Sequence, residues 1–207
     1  MTVQRMSLSG PAGTLQAIVE TPAGTTAVTR FGVICHPHPL YGGTLDNKVV
    51  HTLARAFQQL GLATIRFNFR GVGQSAGHYD EGRGETADAL AIVAHGRSLW
   101  PGARPWLAGF SFGAGVAIRS AVQADAERLV TVAPPVAHLG QADFPVPDCP
   151  WLLVQGDADE VVDARAVLEW VARLSPAPAL RVLAGAGHFF HGRLDDLRET
   201  VLTWAGG

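Results

Sequence analysis

The sequence predicts an α/β fold, a mostly parallel central sheet of about eight strands with helices on both faces, and three observations carry that reading. From Phe31 onward, short apolar runs alternate with longer amphipathic ones. The apolar runs are nearly continuous, as in Leu152-Leu153-Val154, which is what strands covered on both faces require. Segments 36–47, 70–84 and 134–150, unusual in composition, each follow one of those runs. A strand that feeds a helix and then another strand makes a parallel sheet, because the helix returns the chain across the sheet face. Ligands of such sheets bind beyond the carboxyl ends of strands, so these three segments are where function is expected.

The chain opens with two alternating runs, residues 3–8 and 14–20, separated by Gly10-Pro11-Ala12-Gly13, the pattern of a β-hairpin. Further strands are predicted over 31–35, 63–67, 105–110, 128–133, 151–155 and 180–184. Helices are predicted over 47–60, 85–99, 112–123, 164–174 and 189–204. In the first helix Val49, Val50, Leu53, Ala54, Phe57 and Leu60 recur at helical spacing and give one apolar face. Asp163 is placed to cap the helix that follows it. No repeat, low-complexity tract or linker interrupts the pattern, so residues 1–207 read as a single domain.

Composition narrows the function classes. With 16 Lys and Arg against 18 Asp and Glu, the formal charge is −2. That balance argues against nucleic acid or an anionic membrane as partner, since both need a concentrated basic surface. Charged residues make up 16% and hydrophobic ones 47%, which excludes disorder driven by charge and low hydrophobicity. Fifteen of the 16 basic residues are Arg, Lys48 being the only Lys, and their scatter reads as composition rather than function. Cys35 and Cys149 lie far apart, Cys35 within an apolar run, so a disulfide framework is excluded. Residues 1–10 lack the apolar stretch of a secretory signal, and no window reaches the ~18–20 apolar residues of a membrane span. The expectation is a cytoplasmic monomer or homodimer acting on a small molecule.

The strongest chemical signal is Gly109-Phe110-Ser111-Phe112-Gly113, between a predicted strand and a predicted helix. G-x-S-x-G in that context sets a serine on a sharp turn, with its hydroxyl exposed and glycines relieving the crowding. A serine hydroxyl is a poor nucleophile until a base takes its proton, and the base needs a third group to orient it. Two later loops supply candidates: Gly156-Asp157-Ala158-Asp159-Glu160 after one strand and Gly185-Ala186-Gly187-His188-Phe189-Phe190 after the next. Asp159 is favoured over Asp157, which follows directly on the turn glycine, and Glu160 ranks third. His188, in the Gly-rich turn, is favoured over His191, one helical turn later. An oxyanion needs backbone N–H donors. Phe112 offers one. The loop His36-Pro37-His38-Pro39-Leu40-Tyr41-Gly42-Gly43 offers a second from His38, Leu40 or Tyr41, because its prolines have no N–H; Leu40 is favoured. Tyr41, Pro134, Val136, Phe189 and Phe190 are expected to join Leu40 and Phe112 in lining an apolar mouth.

Taken together, the hairpin, the H-P-H-P-L-Y-G-G loop, the R-F-N-F-R-G-V-G-Q-S segment (66–75), the G-F-S-F-G turn, G-D-A-D-E-V-V and G-A-G-H-F-F resemble the α/β-hydrolase superfamily. More narrowly the chain is similar to small, lidless bacterial serine esterases related to dienelactone hydrolase, over essentially its whole length. The order serine, acid, histidine is the one this superfamily uses. The resemblance implies an α/β-hydrolase fold without a cap domain, with Ser111 as nucleophile, Asp159 orienting His188, and His188 as general base and then acid. It implies a small ester cleaved through an acyl-enzyme with no cofactor and no metal, a thioester or lactone being the alternative. Dienelactone hydrolases proper carry a cysteine nucleophile, and Ser111 departs from that. Between the strand ending near Ala133 and the next at Trp151 only 17 residues remain, too few for a helical cap, so an open site is expected.

Competing readings are weaker. Gly71-Val72-Gly73-Gln74-Ser75-Ala76 matches a dinucleotide-binding turn, but the required acid about 20 residues on, at the end of a strand, is missing. The resemblance instead implies that the segment is a structural turn, with Arg70 fixing loops near the site. His36 and His38 could face one way as metal ligands, yet no Cys or carboxylate lies at matching spacing. A non-catalytic binding protein of this fold would be expected to lack one member of the set, and all are present.

Overall fold

In the computed structural model, which describes residues 1–24, 27–139 and 145–206, the predicted hairpin forms from β1 (Thr2–Gly10) and β2 (Gly13–Thr21). The two pair antiparallel in unbroken register from Thr2↔Thr21 to Gly10↔Gly13. Six further strands follow: β3 (Arg30–Cys35), β4 (Ala63–Phe67), β5 (Arg104–Phe110), β6 (Arg128–Val132), β7 (Trp151–Gly156) and β8 (Ala179–Leu183). They make one 8-stranded sheet in the order β1-β2-β4-β3-β5-β6-β7-β8. β2 meets β4 antiparallel and every later pairing is parallel.

The helices are α1 (Lys48–Gln59), α2 (Arg83–Leu99), α3 (Phe112–Ala121), α4 (Val136–Leu139), α5 (Ala164–Val171) and α6 (Leu194–Gly206). Because successive strand side chains point to opposite faces, the core divides in two. Val33, Leu107, Leu129 and Leu153 pack with Ile92 of α2, Val116 of α3 and Val167 of α5. Ile34, Ala108, Val130 and Leu152 pack with Leu53 of α1 and Leu197 of α6. Asn47 caps α1 through Val49 N at 2.9 Å, and Asp163 caps α5 through Arg165 N at 3.0 Å.

One helix starts later than predicted. The pattern suggests a helix from Phe189, but α6 begins at Leu194, because Phe190 (φ 52°) and Gly192 (φ 70°) turn left-handed and end any helical path before it. The segment 134–150 holds only the four-residue α4 among its described residues; residues 140–144 lie outside them. The G-x-G-x-x-A segment is a turn tied to the hairpin: Ser75 Oγ donates to Asn68 O at 2.7 Å and accepts from Gln16 N at 3.0 Å. Arg70 beside it clamps Asp88 of α2 with two guanidinium hydrogen bonds, at 3.0 and 2.7 Å, and its backbone N–H adds a third at 3.0 Å. This fixes the loop that leads into α2. Among the described residues no helix is long and apolar enough to cross a membrane.

Candidate active site

β5 ends at Phe110 and α3 starts at Phe112, which leaves Ser111 to make the whole turn. It does so at φ 54°, ψ −120°, a conformation that costs a residue with a side chain roughly 1–3 kcal/mol. The flanking glycines are required by proximity. A Cβ on Gly109 would stand 2.1 Å from the Gly113 carbonyl oxygen, and one on Gly113 2.4 Å from both Cys35 O and His36 O. Those contacts are backbone and cannot rotate away. Gly113→Ala is therefore expected to lower stability by about 3 kcal/mol, the upper range of core overpacking, read as a fall in the urea midpoint.

His188 Nε2 stands 3.1 Å from Ser111 Oγ. On its other side Nδ1 lies 2.9 Å from Asp159 Oδ2 and 3.1 Å from Oδ1. A carboxylate only accepts, so Nδ1 carries the hydrogen and Nε2 is free to accept from the serine hydroxyl. Both side chains are enclosed, His188 at 4% and Asp159 at 0% exposure. Asp159 is oriented in turn: Oδ1 accepts from Val161 N at 2.8 Å and Val162 N at 2.7 Å, and Oδ2 from Gln155 Nε2 at 3.0 Å. Burial pushes its carboxyl upward, but the hydrogen bonds from His188, Val162 and Val161 outweigh that and hold it below the ordinary range. The competing acids do other work. Asp157 Oδ1 accepts from Gly185 N at 2.6 Å and Glu160 Oε2 from His188 N at 3.1 Å, so both pin the turn that carries His188. His191, the other histidine of that turn, is exposed and stacks on Phe189.

The loop after β3 differs from expectation at one position. Leu40 N donates to His38 Nδ1 at 3.2 Å, and Tyr41 N to His38 O at 3.1 Å. Both hydrogens are already used. Among the described residues the N–H groups of His38 and Phe112 have no protein acceptor, so of the three candidates His38, Leu40 and Tyr41 it is His38 whose N–H is unused. The His38 ring packs 4.6 Å from Tyr41 and 5.0 Å from both Tyr79 and Phe112, with Nε2 3.3 Å from Tyr79 Oη. His36 is a structural residue. Its Nδ1 meets Pro37 O at 2.6 Å and Nε2 accepts from Phe69 N at 3.0 Å, and burial pushes its pKa down to about 4. Both ring nitrogens are thus occupied, which leaves none for a metal.

The expected mouth residues divide. Tyr41 is 86% exposed and Phe189 44% exposed, as rim positions should be. Phe190 is fully buried in the core between the sheet and α6, so it does not line the mouth. Pro134 and Val136 are also buried, Val136 packing into the core on the α3 side. A separate groove of about 330 Å³, lined by Pro147, Pro150, Pro176, Pro178 and Trp204, opens where β7 and β8 begin, at the opposite edge of the sheet. It carries Cys149, whose thiol burial pushes up.

Known proteins share the fold. A serine hydrolase without a lid from Xanthomonas campestris is 40% identical with TM-score 0.93, the match covering 99% of this chain and 94% of that one. An α/β serine hydrolase homologue from Coxiella burnetii is 46% identical with TM-score 0.93, covering 98% and 97%. The chain belongs to the α/β-hydrolase superfamily. The sequence model of the family described as serine aminopeptidase, S33, matches residues 41–142 of this hydrolase. An uncharacterised Rickettsia prowazekii protein is 32% identical over 204 residues, 93% of this chain and 84% of its own. Two supports of the hydrolase's site escape sequence reasoning. Gln155, fully buried, holds Asp159; the signal was an amide closing an otherwise apolar strand. The ring of His38 has no such local sign, since its partner Tyr79 is 41 residues away.

Proposed function

We propose that this hydrolase cleaves small carboxylic esters through an acyl-enzyme on Ser111. Ser111 Oγ attacks the ester carbonyl carbon while its proton passes to His188 Nε2. The carbonyl oxygen, now negative, is received by the N–H groups of Phe112 and His38. His188 then returns the proton to the departing alkoxide oxygen and the alcohol leaves. Water attacks the acyl carbon in the second half, giving a proton to His188, and the acid departs as Oγ takes that proton back. Asp159 holds the ring and stabilises its charged form throughout.

The observation that supports this most is the unbroken line from Asp159 through His188 to Ser111 Oγ, with contacts of 2.9 and 3.1 Å, beside two unused N–H donors. A fluorophosphonate probe tests it, run beside p-nitrophenyl esters of rising acyl length, acyl-CoA thioesters, a lactone and an aminoacyl p-nitroanilide. The expected result is one labelled residue, lost in Ser111→Ala, and fastest turnover on a short ester. Labelling that survives in Ser111→Ala would sink the nucleophile assignment. Faster turnover of the anilide would sink the ester assignment, and a faster thioester or lactone would move the reaction to that bond on the same residues.

A further inference from the structure

Arginines that are not exposed are matched throughout the described residues, with one exception. Arg66 meets Glu20, Arg70 meets Asp88, Arg193 meets Asp196 and Arg198 meets Asp195. Arg128 donates to Ala205 O at 3.0 Å, and Arg30 lies over the Trp106 ring at 5.7 Å. Arg119 of α3, partly buried, has neither an acid nor a carbonyl nor a ring among the described residues. Desolvation, with no carboxylate to offset it, pushes its pKa down. Withdrawing a cation from water without a partner is unfavourable.

Its position points toward the serine. Arg119 follows Phe112 by seven residues and Gly115 by four on α3, the spacing that puts all three on one helix face. A side chain on Gly82, at the start of α2, would meet Arg119 Nη1 at 2.9 Å and Phe112 Cε2 at 3.8 Å. The guanidinium and the Phe112 ring therefore share the space over Gly82, and Phe112 adjoins Ser111. Gly115 on the same face leaves Pro135 of the next loop 3.5 Å from where a Cβ would be. The acid in the first turn of α2, Glu85, spends its oxygens on Asp80 N at 2.9 Å and Gly82 N at 2.8 Å.

We propose that Arg119 is the recognition group for an anionic substrate, an ester carrying a carboxylate several bonds from its scissile carbonyl. This rests on the ester hydrolase reading above and names its substrate class. Helix rise sets the Cα atoms of Ser111 and Arg119 about 12 Å apart, and the arginine side chain leans back toward the N-terminus and so toward the serine. The carboxylate is carried by the acyl group or by the leaving group, and the two sources are separable.

The test compares p-nitrophenyl hemiglutarate and hemiadipate with p-nitrophenyl butyrate, and the butyrate ester of 4-hydroxybenzoate with phenyl butyrate. One anionic series is expected to be preferred over its neutral counterpart, the preference weakening with added salt. Arg119→Gln is expected to lower the ratio of anionic to neutral kcat/KM about tenfold or more, through KM, as loss of a charge-assisted hydrogen bond implies. Arg119→Lys should restore part of it. No preference in either series, or an equal loss on neutral and anionic esters in Arg119→Gln, would overturn the proposal. Calorimetry supplies an arm independent of turnover: monomethyl adipate is expected to bind Ser111→Ala and not Ser111→Ala/Arg119→Gln, and equal binding to both would also overturn it. Neutral esters turned over through Ser111 with no anionic preference would refute Arg119 alone, whereas no ester turned over at all would refute the ester reading.

Discussion

Replacing Ser111 with alanine is expected to lower kcat on a p-nitrophenyl ester by about four to six orders of magnitude, because the proposed mechanism forms the acyl-enzyme on its Oγ and alanine has no hydroxyl. The residual rate comes from whatever the two N–H donors and His188 contribute to direct attack by water. A companion substitution separates chemistry from folding. Ser111 is held at φ 54°, where glycine is at no steric disadvantage. Ser111→Gly is therefore expected to be as inactive as Ser111→Ala and yet more stable than the wild type, by about 1 kcal/mol after the added freedom of the unfolded chain is subtracted. Urea midpoints decide this, and a lower midpoint for Ser111→Gly would show that the turn is not strained. Activity and stability would then move in opposite directions at one atom's distance from the reaction.

Asp159→Asn is the second large effect, expected to reduce kcat by about three to four orders of magnitude with a smaller change in KM. An asparagine Oδ1 can still accept from Val161 N and Val162 N, so the loop should persist. Its NH₂ group then faces His188 Nδ1 and donates, which forces the ring hydrogen onto Nε2 and points it at Ser111 Oγ. The base becomes a donor. Stability should also acquire a different pH dependence. Asp159 titrates below the ordinary carboxylate range in the folded state, so its ionisation contributes stability that is fully present above the unfolded pKa of about 4 and is lost as pH falls through the lower folded value. The wild type should lose stability on acidification more steeply than Asp159→Asn. Parallel midpoints for the two proteins from neutrality to about pH 3 would contradict the depressed pKa.

Particular residues show how far the sequence could be read. The strands were legible as nearly continuous apolar runs, but which of Val33 and Ile34, or of Leu152 and Leu153, joins which half of the core is visible only in the fold, because both members of each pair are apolar. The serine turn was legible because Gly109, Ser111 and Gly113 are needed within five consecutive residues. Phe190 was misread because the pattern after His188 supports helix as well as turn, and only burial against α6 decides between them. The Leu40 N–H is free in the linear chain and is occupied only once the His38 ring folds over it. Arg119 gave no sign at all among fifteen arginines.

By itself, then, the sequence determined the α/β class, the strand and helix order, the residue at the sharp turn and the chain order of its partners, all of which depend on neighbours within one element. Tertiary structure alone decided which backbone N–H groups remain free, which aromatic side chains face solvent and which cation lacks an anion. Those properties are differences between supply and demand for hydrogen bonds and charge in a shared volume. His36 accepting from Phe69 across 33 residues, or His188 meeting Ser111 across 77, exists only when distant segments are brought together.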